Sequence, residues 1–179
     1  MNHKTAVFLL EGIAGALILL SCNPKKTDNR EAIPTEQAEN TVRSLPLYAY
    51  TDSLMQGSHQ VVYRITSETA DELPVVEDED GTKYKDNRYN LLVTKDGQTL
   101  FQRSFTKADF KSQLSSDFQK YGIMDGLRFN HIEDGKLIFN TCVSFPDSDM
   151  SCPFILAIGP DGSYTISPDT SIDEELPSI

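Results

Sequence analysis

Three cysteines are the residues best placed to do chemistry. Cys22 closes Leu19-Leu20-Ser21-Cys22 at the end of an apolar run that starts just after Lys4. A small residue followed by Cys at the end of such a leader is the pattern of a bacterial lipid-attachment signal. It implies cleavage before Cys22 and acylation of both its thiol and the new amino terminus. Cys142 and Cys152 flank the turn Phe145-Pro146-Asp147-Ser148-Asp149, and their midpoint is position 147. In a symmetric hairpin they face each other at the separation a disulfide requires, and an exported protein meets an oxidising compartment. Cys142–Cys152 is therefore the disulfide candidate, bearing structure rather than reactivity.

The remaining titratable residues make no constellation. His3 lies in the leader, which leaves His59 and His131, 72 positions apart and each without a Cys, His or Glu at ligand spacing. His131 alternates in phase with Leu127 and Phe129 and reads as a strand residue. Glu77-Asp78-Glu79-Asp80-Gly81 has carboxylate density but lacks the alternate-position ligands and distal Glu of a calcium loop. Asp147-Ser148-Asp149 is explained as a turn through side-chain to backbone bonds. No G-x-S-x-G elbow, phosphate loop or paired-glycine nucleotide motif is present. No catalytic, cofactor-binding or metal-ligating residue is assigned, and no cofactor is expected.

The chain divides into three parts. Residues 1–21 are read as a signal peptide: Met1 to Lys4 is a short basic segment, and Thr5 to Leu20 is apolar but interrupted by Glu11, Gly12 and Gly15. That run is too short and broken for the ~20 apolar residues of a spanning helix. Residues 22–45 read as a lipidated, disordered tether, with Ala32, Ile33, Ala38 and Val42 too scattered to form a stripe. As a coil it spans roughly 25–30 Å. Residues 46–179 are left as one domain of ordinary size. That domain carries 11 Lys plus Arg against 22 Asp plus Glu, with no basic residue after Lys136. Such a surface repels phosphate backbones and anionic headgroups, so nucleic acid is excluded as a partner and membrane attachment rests on the lipid anchor.

Hairpin signals dominate the domain. Asp96-Gly97, Asp134-Gly135 and Asp161-Gly162 each lie between apolar runs of strand length. A two-residue loop pairs Val93 with Leu100, whereas a three-residue loop closed by a left-handed Gly shifts the register by one. The second option sorts the side chains better. It gathers Tyr89, Leu91, Val93 and Phe101 on one face, Leu127, Phe129, Leu137 and Phe139 on another, and Leu156, Ile158, Tyr164 and Ile166 on a third. Leu47 to Leu54 is expected to pair with the Val61–Ile65 strand through Gln56-Gly57-Ser58, and Glu68 to Lys85 to form an edge strand or long loop.

One helix is signalled. Thr106 and Asp109 make a capping pair, Phe110, Leu114, Phe118 and Tyr121 share a stripe, and Gly122 suits a left-handed C-cap. Strands, one helix and four more strands predict an α+β domain: a mostly antiparallel meander sheet, curled, packed against one main helix.

The stretches Asp86-Asn87-Arg88-Tyr89-Asn90-Leu91 through Lys95-Asp96-Gly97, Phe105-Thr106-Lys107-Ala108-Asp109-Phe110-Lys111 and Gly122-Ile123-Met124-Asp125-Gly126-Leu127 carry a resemblance. The chain resembles a family of Bacteroides-type envelope lipoproteins, domain of unknown function 4738. The resemblance implies fold and location only. Surface-exposed lipoproteins of such organisms often carry an acidic run after the lipidated Cys. Here Asn23-Pro24-Lys25-Lys26 departs from that, which favours the periplasmic face of a membrane over the cell surface. Two function classes follow. One is a non-enzymatic module that binds a protein, peptide or glycan or assists a larger assembly. The other is a periplasmic hydrolase built from carboxylates brought together by folding. Two or more acidic side chains converging in a concave site mark the enzyme; a filled sheet interior and an apolar patch mark the binder.

Overall fold

Strand alternation sets the architecture. The computed structural model describes residues 41–78 and 80–171. Cys22, the expected leader, and the tether up to Asn40 lie outside the described residues. The strands are β1 (Val42–Arg43), β2 (Ala49–Gln56), β3 (His59–Thr69), β4 (Val75–Glu77), β5 (Lys83–Lys85), β6 (Asn87–Lys95), β7 (Gln98–Phe105), β8 (Ile123–Glu133), β9 (Lys136–Ser144), β10 (Ser151–Ile158) and β11 (Tyr164–Pro168). They form two four-stranded antiparallel sheets, ordered β2-β3-β6-β7 and β8-β9-β10-β11, and a small sheet ordered β1-β5-β4. Each large sheet is a meander of its own half of the chain, interrupted in the first half by the β4–β5 hairpin.

The large sheets enclose one core. Val61, Tyr63 and Ile65 of β3 and Leu91 and Val93 of β6 pack with Leu127 of β8, Phe139 of β9, and Phe154, Leu156 and Ile158 of β10. The Tyr63 ring lies 5.0 Å from that of Phe129 and 5.8 Å from that of Phe139. A second, smaller cluster joins Val76, Tyr84 and Ile123, with Leu45 against it. β1 lies inside the stretch read as tether. Val42 and Arg43 pair in parallel with Lys83 and Tyr84, a two-residue contact too short to leave a periodic signal.

The architecture corrects the α+β expectation, because the described residues are mostly strand and contain no main helix. The expected helix is a 3₁₀ helix over Lys107–Gln113 and a short α-helix, α1, over Ser116–Tyr121. Leu114 (φ −91°, ψ 140°) and Ser115 (φ −62°, ψ 164°) are extended between them. Ser115 stops the first helix by capping the second, its hydroxyl accepting from the Phe118 N–H at 3.4 Å, the competition with helical backbone that makes Ser a capping residue. The stripe is cut in two: Phe110 and Leu114 are buried, whereas Phe118 and Tyr121 are only half-buried. The sheet therefore curls round no helix; the sheets cover each other. Gly122 is no left-handed cap either, with φ −79°. It is small because a Cβ there meets the Phe118 carbonyl oxygen and Val143 Cγ1 at 2.7 Å.

The hairpin faces sort as expected, by a partly different route. Lys95 pairs with Gln98 and Glu133 with Lys136, so these two loops have two residues, not three. Asp96 (φ 52°) and Gly97 (φ 78°), like Asp134 (φ 48°) and Gly135 (φ 73°), occupy the left-handed positions of a primed turn. The missing register step comes from bulges further along. Leu100 is the extra residue between Thr99 and Phe101, and Asn130 the extra one between Phe129 and His131. The third hairpin is the three-residue form. Gly159 N–H donates to Ser163 O at 2.8 Å, and Gly162 closes the loop at φ 80°.

Candidate functional site

A buried carboxylate is the costliest group in this core, and it marks the site. Asp86 sits between β5 and β6 and is 2% exposed. Its Oδ1 accepts the backbone N–H groups of Asn87 and Met124, each at 2.8 Å. Its Oδ2 accepts no hydrogen bond among the described residues; the nearest cation, Lys107 Nζ, is 3.9 Å away. Lys107 opens the 3₁₀ helix after Thr106, whose N–H donates to Asp109 Oδ2 at 2.9 Å and so fixes the helix start. The Lys107 ammonium donates to the Gly122 carbonyl at 2.6 Å. Asn87 Nδ2 completes the network with the Met124 carbonyl at 2.9 Å. The β5–β6 junction, the 3₁₀ helix and the start of β8 are thus tied at one point.

Burial shifts both charged groups the same way in consequence. It pushes the Asp86 carboxyl above its ordinary range, opposed by the Met124 and Asn87 N–H groups and by Lys107. It also pulls the Lys107 ammonium down, opposed by Asp86. Each neutral form gains relative to its charged form. Both side chains floor a cleft of about 250 Å³ whose walls include Leu73, Pro74, Ala108 and Leu114, with Lys111 and Gln119 also lining it. An apolar cleft with a few convergent polar groups of shifted pKa is the usual form of a small-ligand site.

The residues singled out from sequence lie elsewhere. Cys142 stands opposite Pro153 and Cys152 opposite Val143. That one-residue offset puts the two side chains on opposite faces of the sheet. Both thiols are free, so the expected bridge is not formed. Cys142 instead donates to the Asp125 carbonyl. His59 Nδ1 lies 2.5 Å from Asp96 Oδ2 at the hairpin tips, a pair no spacing rule finds across 37 positions. His131 is exposed beside the β8 bulge.

Of the acidic clusters, Asp78 bonds the N–H groups of Asp80 and Thr82 as a turn. Asp147 accepts from Arg43 at 2.8 Å and from the Tyr84 hydroxyl at 2.7 Å. Asp78, Asp80 and Asp147 all line one cleft of about 410 Å³. Asp78 is thus engaged in a local turn and Asp147 in long-range bonds to Arg43 and Tyr84. Among the described residues no group of three His, Cys, Asp or Glu stands ready to hold a metal ion.

Asp86, Lys107 and Met124 escaped the reading of motifs because they are 21 and 17 positions apart, with no periodicity linking them. Their signal lay in the resemblance, whose three quoted stretches meet at this network. The family model described as Domain of unknown function (DUF4738) matches residues 26–166. The chain belongs to that family. The DUF4738 match takes in both large sheets up to Ile166 and every residue of the Asp86–Lys107 network. A search of the curated proteins finds no match.

Proposed function

We propose that this DUF4738 chain is a lipid-anchored envelope protein of Bacteroides-type bacteria. Its domain holds a small apolar-bodied group of a protein or peptide partner in the Asp86–Lys107 cleft without transforming it. Anchoring is supported by the leader ending at Cys22, and the periplasmic face by Asn23-Pro24-Lys25-Lys26. The observation that carries the binding reading is the floor of the cleft. Asp86 and Lys107 both keep hydrogen-bonding capacity there, beneath apolar walls. The sandwich interior itself is filled by aromatic and aliphatic side chains. The hydrolase reading gains less, since Asp78 and Asp147 are held by turn and ion-pair bonds.

Two experiments test this. Cys22→Ser should move the protein from the detergent to the aqueous phase in a phase-partition assay; unchanged partition overturns the anchor. A photocrosslinker at Lys111, on the cleft's edge, should give a discrete adduct in intact cells that Leu73→Asp removes. An equal adduct from a crosslinker at Gln102, on the other sheet's outer surface, overturns the cleft as the docking site.

A further inference from the structure

We propose that the group bound in the cleft carries an uncharged head that both donates and accepts hydrogen bonds, an amide or a hydroxyl, on a short branched apolar body. This rests on the reading of the cleft as a docking site and deepens it. The argument begins with the valences left over on the floor. Asp86 Oδ1 is filled by two N–H donors at 2.8 Å, while Oδ2 accepts nothing closer than Lys107 Nζ at 3.9 Å. An ammonium has three donors. Lys107 uses one on the Gly122 carbonyl. The carboxylate is 2% exposed, so its unfilled oxygen reaches little but the cleft.

A separation of 3.9 Å is too long for a direct hydrogen bond and suits one group inserted between the two atoms. That group must accept from Nζ and donate to Oδ2. A carboxylate only accepts and meets Asp86 with like charge. An ammonium only donates and meets Lys107 with like charge. An amide or a hydroxyl does both. Charge is disfavoured on a second ground, because burial already penalises each ion present and a third adds a further desolvation cost.

Size and wall chemistry set the body. The cleft's 250 Å³ falls below the ~300–1,000 Å³ of sites for drug-sized ligands, so the part of a ligand it encloses is small. Leu73, Pro74, Ala108 and Leu114 offer aliphatic surface and no aromatic platform. A body the size of a Val or Leu side chain fits that description.

Four water-soluble probes with one body and different heads test the assignment: isobutyramide, isobutanol, isobutyrate and isobutylamine. Each is titrated into the isotopically labelled full chain, with the Asn87 and Met124 amides and the Leu114 methyls followed by NMR. Isobutyramide and isobutanol should shift these signals saturably. The two charged probes should bind at least about tenfold more weakly, the factor one mismatched hydrogen bond to a buried partner commands. Lys136→Met, in the β8–β9 hairpin away from the cleft, should leave this order unchanged. Lys107→Met should abolish the preference for neutral heads, provided its spectrum stays folded. A charged probe that binds as well as isobutyramide overturns the head-group assignment and leaves the cleft standing. If no probe moves the Leu114 methyls, the cleft reading itself falls and this inference with it.

Discussion

Asp86 and Asp52 face the same kind of partners and respond in opposite ways. Asp86 takes two backbone N–H groups. Asp52, on the free edge strand β2, takes the Ser53 N–H at 2.7 Å and the Tyr50 hydroxyl at 3.0 Å, with the Tyr63 hydroxyl at 3.5 Å. Donors hold the Asp52 carboxyl below the ordinary range, the Ser53 N–H foremost and the Tyr50 hydroxyl next. Asp86 is pushed above that range although both its donors lie at 2.8 Å, within 0.1 Å of the closest donor to Asp52. The difference is solvent. Hydrogen bonds to a carboxylate offset its desolvation only where little desolvation has occurred. The same side chain thus guards an open edge as an ion in one place and floors a cleft with little tolerance for charge in the other. Asp52 points along the core-facing side of its strand, opposite Tyr63, and blunts that edge, as inward charges on edge strands do.

The largest expected effect separates the two carboxylates by stability. Asp86→Ala strands two buried N–H groups and the Lys107 ammonium, and should cost about 3–5 kcal/mol in chemical denaturation. Asp52→Ala should leave the denaturation midpoint close to wild type. Comparable losses at both positions would break the contrast.

Lys107→Met comes next. It orphans the Gly122 carbonyl and drives Asp86 further toward its neutral form, so the loss should be about 1–3 kcal/mol near neutral pH. Its pH dependence has a definite sign. Below the ordinary Asp value of 3.8 the carboxyl is protonated in both states. As pH rises past that value the unfolded chain ionises first, so stability falls until Asp86 itself ionises. Urea curves at pH 4 and pH 8 should show the larger deficit at pH 8; a larger deficit at pH 4 would mean Asp86 is not the group in control.

Carboxyl ¹³C titration reads the contrast directly. Asp86 should titrate above 3.8 and Asp52 below it. A reversed order would refute the solvent argument. A finer effect concerns Tyr63, whose phenol is pushed up to about 12, by burial first and by the Asp52 charge second. Asp52→Asn should lower that value without restoring 10.0, as followed by phenolate absorbance. Full restoration would assign the shift to charge alone. The smallest effect is on the thiols: Cys142 and Cys152 should both alkylate after unfolding without reductant, because the register holds them on opposite faces.

What was legible in the sequence was local. Asp-Gly and Gln56-Gly57-Ser58 demand left-handed backbone at fixed places, so strand ends and the inward residues Tyr89, Leu91, Val93 and Phe101 could be read. Bulges at Leu100 and Asn130 could not, since packing between sheets decides where a strand absorbs an extra residue. The Phe110 to Tyr121 stripe misled because its spacing fits a helix while Ser115 caps within it. Cys142 and Cys152 looked symmetric about a turn whose real axis lies half a residue away, with Ser144 opposite Ser151. Asp86 and Lys107 have ordinary neighbours in sequence. Only folding makes them neighbours of each other, and only burial makes them unusual.

The segregation of the two meanders has a consequence for the order in which the protein is made. β2, β3, β6 and β7 are complete when Phe105 has been added, and Pro168 closes the second sheet about 60 residues later. At ~5–20 residues per second, synthesis leaves the first sheet alone for roughly 3–12 s. Its β2–β3 and β6–β7 hairpins are local and form within ~1–10 μs, whereas β3 meets β6 between residues 18 to 34 positions apart. For those seconds Val61, Ile65, Leu91, Val93 and Phe101 line one face with nothing to cover it. The half-sandwich therefore carries an aggregation hazard of its own, which ends only when β8 to β11 cover that face.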